Sequence, residues 1–179
     1  MATFVALLRA VNVGTTNRIR MADLTRAFVE AGYPDAVTHI QTGNVLFLSD
    51  DTAAAAKTRV EALIHDTMGV AIDAIIRTAG ELDAVTRANP FATAEVDTAR
   101  LGVGFLDAQP PAQAVAAFCA APIGDDEVCV EGREVYIRYA VGAGSTKLTA
   151  GVWKRLGVPF TARNWNVTTT LARLAAEHR

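Results

Sequence analysis

Cysteine is scarce in this chain of 179 residues: only Cys119 and Cys129 occur. One falls in an Ala-rich helical pattern and the other in a strand pattern, so their spacing offers neither a disulfide framework nor a metal site, and both are read as buried free thiols. Histidine is equally sparse, and His39, His65 and His178 lie too far apart in sequence to suggest a ligand set. An excess of one charge is lacking as well. A net charge of −2 gives no global attraction to nucleic acid or an anionic membrane, so any anion site must be a local cluster. No apolar run approaches the ~20 residues of a spanning helix. The N-terminal stretch MATFVALLRAVNVG is broken by Arg9 and Asn12 with no basic segment before it, which makes it a first strand rather than a signal peptide. A soluble, cytoplasmic protein is expected. Catalytic signatures are also missing. There is no Gly-x-Ser-x-Gly elbow, no metal set and no motif for a cofactor. The acidic runs Asp50-Asp51 and Asp125-Asp126-Glu127 sit at loops, where capping and solvation explain them.

What is present is a sequence of patterned segments. Phe4 to Val11 is almost continuously apolar, which suits a strand covered on both faces. Met21, Leu24, Phe28 and Ala31 recur at helical spacing until Gly32 and Pro34 stop them. VTHIQ and NVLFL, joined at Thr42-Gly43, read as a hairpin. A helix capped within Asp50-Asp51-Thr52 carries Val60, Leu63 and Ile64, and AIDAIIRT is a further strand. The order is βαββαβ. Residues 79–96 form a helical connector with an irregular end, and then the order begins again. LGVGFLD is a strand, Pro110-Pro111 open a helix, and EVCVE and EVYIRYA form a hairpin. A helix from about Thr146 to Leu156, a short VPFTA segment in place of the last strand, and a terminal helix complete the chain. The two halves repeat in topology, not in letters.

This order predicts an α+β protein made of two ferredoxin-like subdomains with antiparallel sheets, residues 1–78 and 97–179. The second is modified and followed by a C-terminal helix. In each, the first and third strands are central and the other two are edges.

The topology brings one set of polar residues to a common rim. The ends of the first two strands, the start of the third and the start of the first helix share one edge, so Arg9, Asn12, Asn17, Gln41, Thr42 and Asn44 gather there. A helix N-terminus and loop N–H groups add positive potential. Two accounts fit: a ligand site, or a hairpin turn at Gly43 with Asn44 and Gln41 satisfying backbone groups and Arg18 and Arg20 solvated. In the second half, VGAGSTKLT leads into a helix with Lys147 at its start, but it lacks the order of a phosphate-binding P-loop. Ser145 serves equally well as a helix cap.

The string TARNWN, Thr161–Asn166, holds Arg163, whose rigid fork suits a carboxylate or phosphate. Asn164 or Asn166 can cap the terminal helix, Trp165 packs where it begins, and Val167, Leu171 and Leu174 face the core. If the string folds back on the first rim, Arg9, Gln41, Asn44, Lys147 and Arg163 line an interdomain cleft.

Read together, ALLRAVNVG (6–14), HIQTGNVLF (39–47), STKLT (145–149) and LGVPFTARNWN (156–166) resemble an uncharacterised bacterial family known as domain of unknown function 1697. The resemblance runs over almost the whole chain and implies a two-part ferredoxin-like α+β fold, with no established activity. Where the family has Gly after the first Arg and a Gly-Lys-Asn loop, this chain has Ala10 and Thr15-Thr16-Asn17; where it has Tyr and Ser, this chain has His39 and Thr42.

The leading expectation is a protein that binds an anionic, phosphorylated or nucleotide-like small molecule through Arg9, Asn12, Asn17, Gln41, Asn44, Lys147, Arg163 and Asn164, with no cofactor. An enzyme acting on an anionic substrate in the same cleft, with His39 as the nearby titrating group, is the alternative from another class. RNA binding ranks lower, because Tyr136 and Tyr139 fall on opposite faces of their strand and cannot form one stacking platform.

Overall fold

The computed structural model describes residues 1–15 and 17–178; Thr16 of the first loop and the terminal Arg179 lie outside the described residues. The chain divides into two compact units, one formed by residues 1–84 with the chain from 170 onward, the other by residues 85–169.

In the first unit, β1 (Ala2–Leu8), α1 (Met21–Glu30), β2 (Val37–His39), β3 (Asn44–Ser49), α2 (Ala53–Met68) and β4 (Ala74–Thr78) follow one another. The four strands form an antiparallel sheet in the order β2-β3-β1-β4, as the βαββαβ pattern predicts. Alternation sends Phe4, Ala6 and Leu8 to the helix side, where they meet Val45, Phe47 and Ile76 and, from the helices, Leu24, Phe28, Val60 and Ile64. Phe47 is the hub, with rings of Phe4, Phe28 and Tyr33 packed 5.9, 5.5 and 5.1 Å from its own. Val5, Leu7, Leu46 and Ile75 on the other face are equally buried, which is why β1 reads as an unbroken apolar run. The edge strand β4 is also buried nearly throughout, contrary to its mixed sequence. Thr52 caps α2 by accepting from the Ala55 N–H.

Helix α3 (Ala79–Ala88) starts with a reciprocal capping box. The Glu81 N–H donates to Thr78 Oγ1 while Glu81 Oε2 accepts from the Thr78 N–H.

The second unit contains β5 (Leu101–Leu106), α4 (Ala112–Cys119), β6 (Glu127–Glu131), β7 (Glu134–Arg138), α5 (Ala150–Trp153) and β8 (Phe160–Asn164). Its sheet has the same antiparallel plan, β6-β7-β5-β8. The segment read as a short VPFTA is a full strand, paired with β5 from Leu106↔Phe160 to Gly102↔Asn164. Glycines in β5 make room for aromatic rings. A Cβ on Gly104 would stand 2.4 Å from the Trp153 ring, and one on Gly102 would stand 3.0 Å from the Tyr139 hydroxyl. Trp153 in turn stacks on Phe160 at 4.1 Å.

Three expectations fail here for identifiable reasons. The helix expected from Thr146 is only α5, extended by a 3-10 turn (Lys154–Leu156). Thr146 is held extended because its hydroxyl donates to Asp126 and accepts from the Leu148 N–H. Ser145 consequently caps nothing; it closes a 3-10 turn instead. The thiols are not both buried, since Cys119 ends α4 exposed and Cys129 is half-buried. The last helix, α6 (Trp165–Glu177), buries Thr168, Leu171, Ala172 and Ala175 rather than Val167 and Leu174. Its C-terminal end belongs to the first unit: the Thr3 hydroxyl donates to the His178 carbonyl at 2.7 Å, and His178 Nε2 lies 2.8 Å from Asp35.

The pairings also uncover a repeat that the letters conceal. Arg77 stands opposite Val5 on β1, and Arg163 stands opposite Val103 on β5, the same slot in each sheet. At 1% and 8% exposure they are the buried charged side chains of the described residues.

Candidate functional site

The rim predicted for the first unit exists, and its construction starts where β1 ends. The Leu8 N–H donates to the Gly43 carbonyl (2.8 Å) and the Arg9 N–H to the Asp73 carbonyl (3.0 Å), which fixes the ends of β1, β3 and β4 together. Beyond Arg9 the chain must reverse into α1. It does so through left-handed residues: Ala10 (φ 53°), Asn12 (54°), Gly14 (60°) and Asn17 (47°). The facing hairpin tip contributes Ile40 (φ 51°) and Gly43 (74°). Gly43 is needed twice over, since a Cβ there would stand 3.0 Å from that of Leu8.

Side chains lock this geometry. Asn12 Oδ1 accepts from the Ile19 N–H (2.8 Å), and its Nδ2 donates to the carbonyls of Ile19 (2.9 Å) and Gln41 (2.8 Å), tying the loop to the hairpin tip. Asn17 donates to the Ala10 carbonyl (3.3 Å). Asn44 is fully buried and donates to the His39 carbonyl (3.0 Å) and to Thr42 Oγ1 (3.2 Å). Arg9 forms an ion pair with Asp73 at 3.1 Å. Of the sequence candidates, Arg9, Asn12, Asn17, Gln41 and Asn44 therefore meet at one end of one sheet, with Asn12, Asn17 and Asn44 clamping its backbone.

A depression of about 410 Å³ opens between these clamps, lined by Asn12, Gly14, Arg18, Ile19, Arg20 and Gln41. Arg18 is exposed and forms no ion pair among the described residues. The Arg20 side chain is 85% exposed, 4.0 Å from Asp23. Arg20 is also the N-cap residue of α1 and supplies no side-chain cap, so the first N–H groups of this ten-residue helix have no side-chain acceptor from it. Sequence reading passed over Ile40, because nothing in an isoleucine advertises a left-handed backbone. Half-buried His39 sits at the end of β2, where burial, and then the Arg173 guanidinium, hold its pKa below the ordinary value. Its ring is neutral at pH 7.

The remaining candidates lie in the second unit. Lys147 is exposed, with its aliphatic stem against Gly124. Arg163 donates from one Nη to Thr161 Oγ1 and to the Ala162 carbonyl, both at 2.8 Å. Burial pushes its pKa down to about 10, so it remains a cation at neutral pH. Asn164 is the cap of α6, its Oδ1 accepting from the Val167 N–H at 2.8 Å, whereas the Asn166 carbonyl accepts from Thr169. Trp165 is buried where the helix begins.

Among the described residues, no group of three or more His, Cys, Asp or Glu is placed to hold a metal ion, and no helix is long and apolar enough to cross a membrane.

A family model described as a protein of unknown function, DUF1697, matches residues 1–136, and the chain belongs to that family. The match includes the whole rim and ends before STKLT and TARNWN. The solved structure of the conserved bacterial protein SP0830 from Streptococcus pneumoniae is similar in fold, with a TM-score of 0.72 at 18% identity, covering 97% of this chain and 98% of that one. No curated protein matches the sequence.

Proposed function

We propose that this protein binds a small anionic molecule, of the phosphorylated class, in the rim depression of the first unit. The observation that carries this reading is where the backbone strain sits. All four non-glycine residues with positive φ among the described residues, Ala10, Asn12, Asn17 and Ile40, lie in this rim. Each costs about 1–2 kcal/mol, less for asparagine, and a β-branched Ile40 is the least tolerant. Strain concentrated in one place is characteristic of ligand clamps. The same geometry supports an anion specifically: Arg18 forms no ion pair among the described residues, Arg20 is only loosely engaged, and α1 directs its N-terminus here. This reading needs donors from the first unit alone.

Thermal denaturation of the full chain with pyrophosphate tests it. The melting temperature rises with ligand in the wild type, by mass action, and the rise is strongly reduced in Arg18→Ala. No rise with pyrophosphate in the wild type would refute the reading.

An enzyme using the same anion site is the second reading, favoured only by His39, whose neutral ring can accept a proton. RNA stacking finds less support, since Tyr136 and Tyr139 are 2% and 9% exposed.

A further inference from the structure

A cavity of about 660 Å³, larger than the rim depression, lies wholly within residues of the second unit and within the ~300–1,000 Å³ usual for small-molecule sites. One side of it is the chain that follows α3. There Asn89 Oδ1 accepts from the Phe91 N–H and Asp97 Oδ1 from the Ala99 N–H, both at 3.0 Å. The other side is the end of β7. The Tyr139 N–H donates to the Arg100 carbonyl (2.8 Å) and Arg100 Nη1 donates to the Ala140 carbonyl (3.0 Å), which ties the two sides together.

The lining carries an excess of negative charge. Glu95, Asp97 and Asp125 face the cavity and form no ion pair among the described residues. Of the two arginines that line it, Arg138 is committed to Glu127, so only Arg100 opposes the three carboxylates. The carboxylates do not converge, since no such group among the described residues is placed to hold a metal ion. Pro90, half-buried Phe91 and Val96 supply the apolar part of the lining. Tyr139 also lines the cavity at 9% exposure, and its hydroxyl has no hydrogen-bond partner among the described residues. A side chain so enclosed nearly always commits its polar atom to a partner; this one is left to meet a molecule in the cavity. Burial, and then Asp126, raise its pKa, so at pH 7 it is a neutral hydroxyl able to accept a hydrogen bond.

Independently of the anion-site reading, we infer that this cavity binds a linear aliphatic diamine: one ammonium at Glu95 and Asp97 of the chain after α3, the other at Asp125 before β6, and the methylenes against Pro90, Phe91 and Val96. Two ammonium groups match the two negative charges left in excess. A compact metal ion cannot reach carboxylates on two sides at once, and an anion meets like charge. A flexible diamine spans them, and the Phe91 ring offers its face to a cation.

Calorimetric titration of the full chain at low salt with cadaverine, pentylamine, lysine and magnesium tests the inference. Cadaverine binds saturably at one site, and pentylamine, which lacks one ammonium, binds about tenfold or more weakly. Glu95→Gln and Asp125→Asn, both at exposed positions, each weaken cadaverine by about the same factor. Tyr139→Phe keeps the ring and weakens it by about fivefold. Absence of saturable cadaverine binding, equal affinity for pentylamine, or full affinity in Glu95→Gln and Asp125→Asn would overturn the inference. So would lysine binding more tightly than cadaverine, which would make Arg100 a carboxylate receptor. Magnesium displacing cadaverine at equal concentration would overturn it too, by reducing the site to a diffuse negative surface.

Discussion

The two units follow the same strand order and place an arginine in the same slot, yet they handle tight turns in opposite ways. In the second unit the left-handed residues are Gly124, Gly132 and Gly157, for which that conformation carries no steric cost. In the first unit Ala10, Asn12, Asn17 and Ile40 take it as well. A scaffold that can make its turns with glycine in one half has no architectural need for strain in the other. The central strands differ in the complementary sense. β1 fills its helix side with Phe4, Ala6 and Leu8, whereas β5 leaves gaps at Gly102 and Gly104 that Tyr139 and Trp153 occupy. The second unit thus spends its glycines on packing and turns, and the first keeps an energetically costly rim.

The largest effect expected from breaking this comparison is at Gly104. An added methyl 2.4 Å from Trp153 must displace a ring already stacked on Phe160, so Gly104→Ala lowers stability by about 3 kcal/mol. Denaturant unfolding measures it, and a change below about 1 kcal/mol would mean that the Trp153 pocket is soft.

Next in size is a mirrored pair. Ala10→Gly relieves a left-handed alanine and raises stability by about 1 kcal/mol. Gly132→Ala imposes the same conformation (φ 57°) with open space for the methyl, and lowers it by about 1 kcal/mol. Opposite signs in parallel melts sharpen the contrast between the units; a destabilising Ala10→Gly erases it.

Capping of α6 comes third. Asn164→Ala costs about 1 kcal/mol and Asn166→Ala only a few tenths, because the Val167 N–H is bound by the former side chain. Equal losses would break the assignment.

The smallest effect is in pH dependence. The folded pKa of His39 is lowered, so the unfolded chain binds the proton more readily. The contribution of His39 is therefore fully present above about pH 6.5 and is lost as pH falls through the folded value. His39→Gln flattens that part of the stability profile, slightly, since the ring is only half-buried. An unchanged profile would show that its folded and unfolded pKa values coincide.

The strand order of both sheets and the gathering of Arg9, Asn12, Gln41 and Asn44 were legible in the sequence, because hydrophobic period and chain order determine which strand ends share an edge. The backbone conformations of Ala10 and Ile40 were not. Neither side chain prefers φ > 0, so the sequence pointed away from the strain that now marks the rim. The short α5 was hidden for a different reason. Its length depends on Asp126 holding Thr146 from 20 residues away, which no local pattern registers. The purpose of Gly102 and Gly104 within LGVGFLD was not legible either, because the rings that fill their space come from other elements. Arg77 and Arg163 escaped as a pair because their equivalence is one of register, not of neighbouring letters.

The most direct measurement of the central claim is an amide-resolved NMR titration of the wild-type chain with inorganic phosphate. If the strained rim is the anion site, saturable shifts concentrate on the N–H groups of Gly14, Arg18, Ile19 and Met21, while those of Gly124, Gly132 and Gly157 stay in place. Shifts that fail to saturate, or that fall equally on the glycine turns of the second unit, would contradict it.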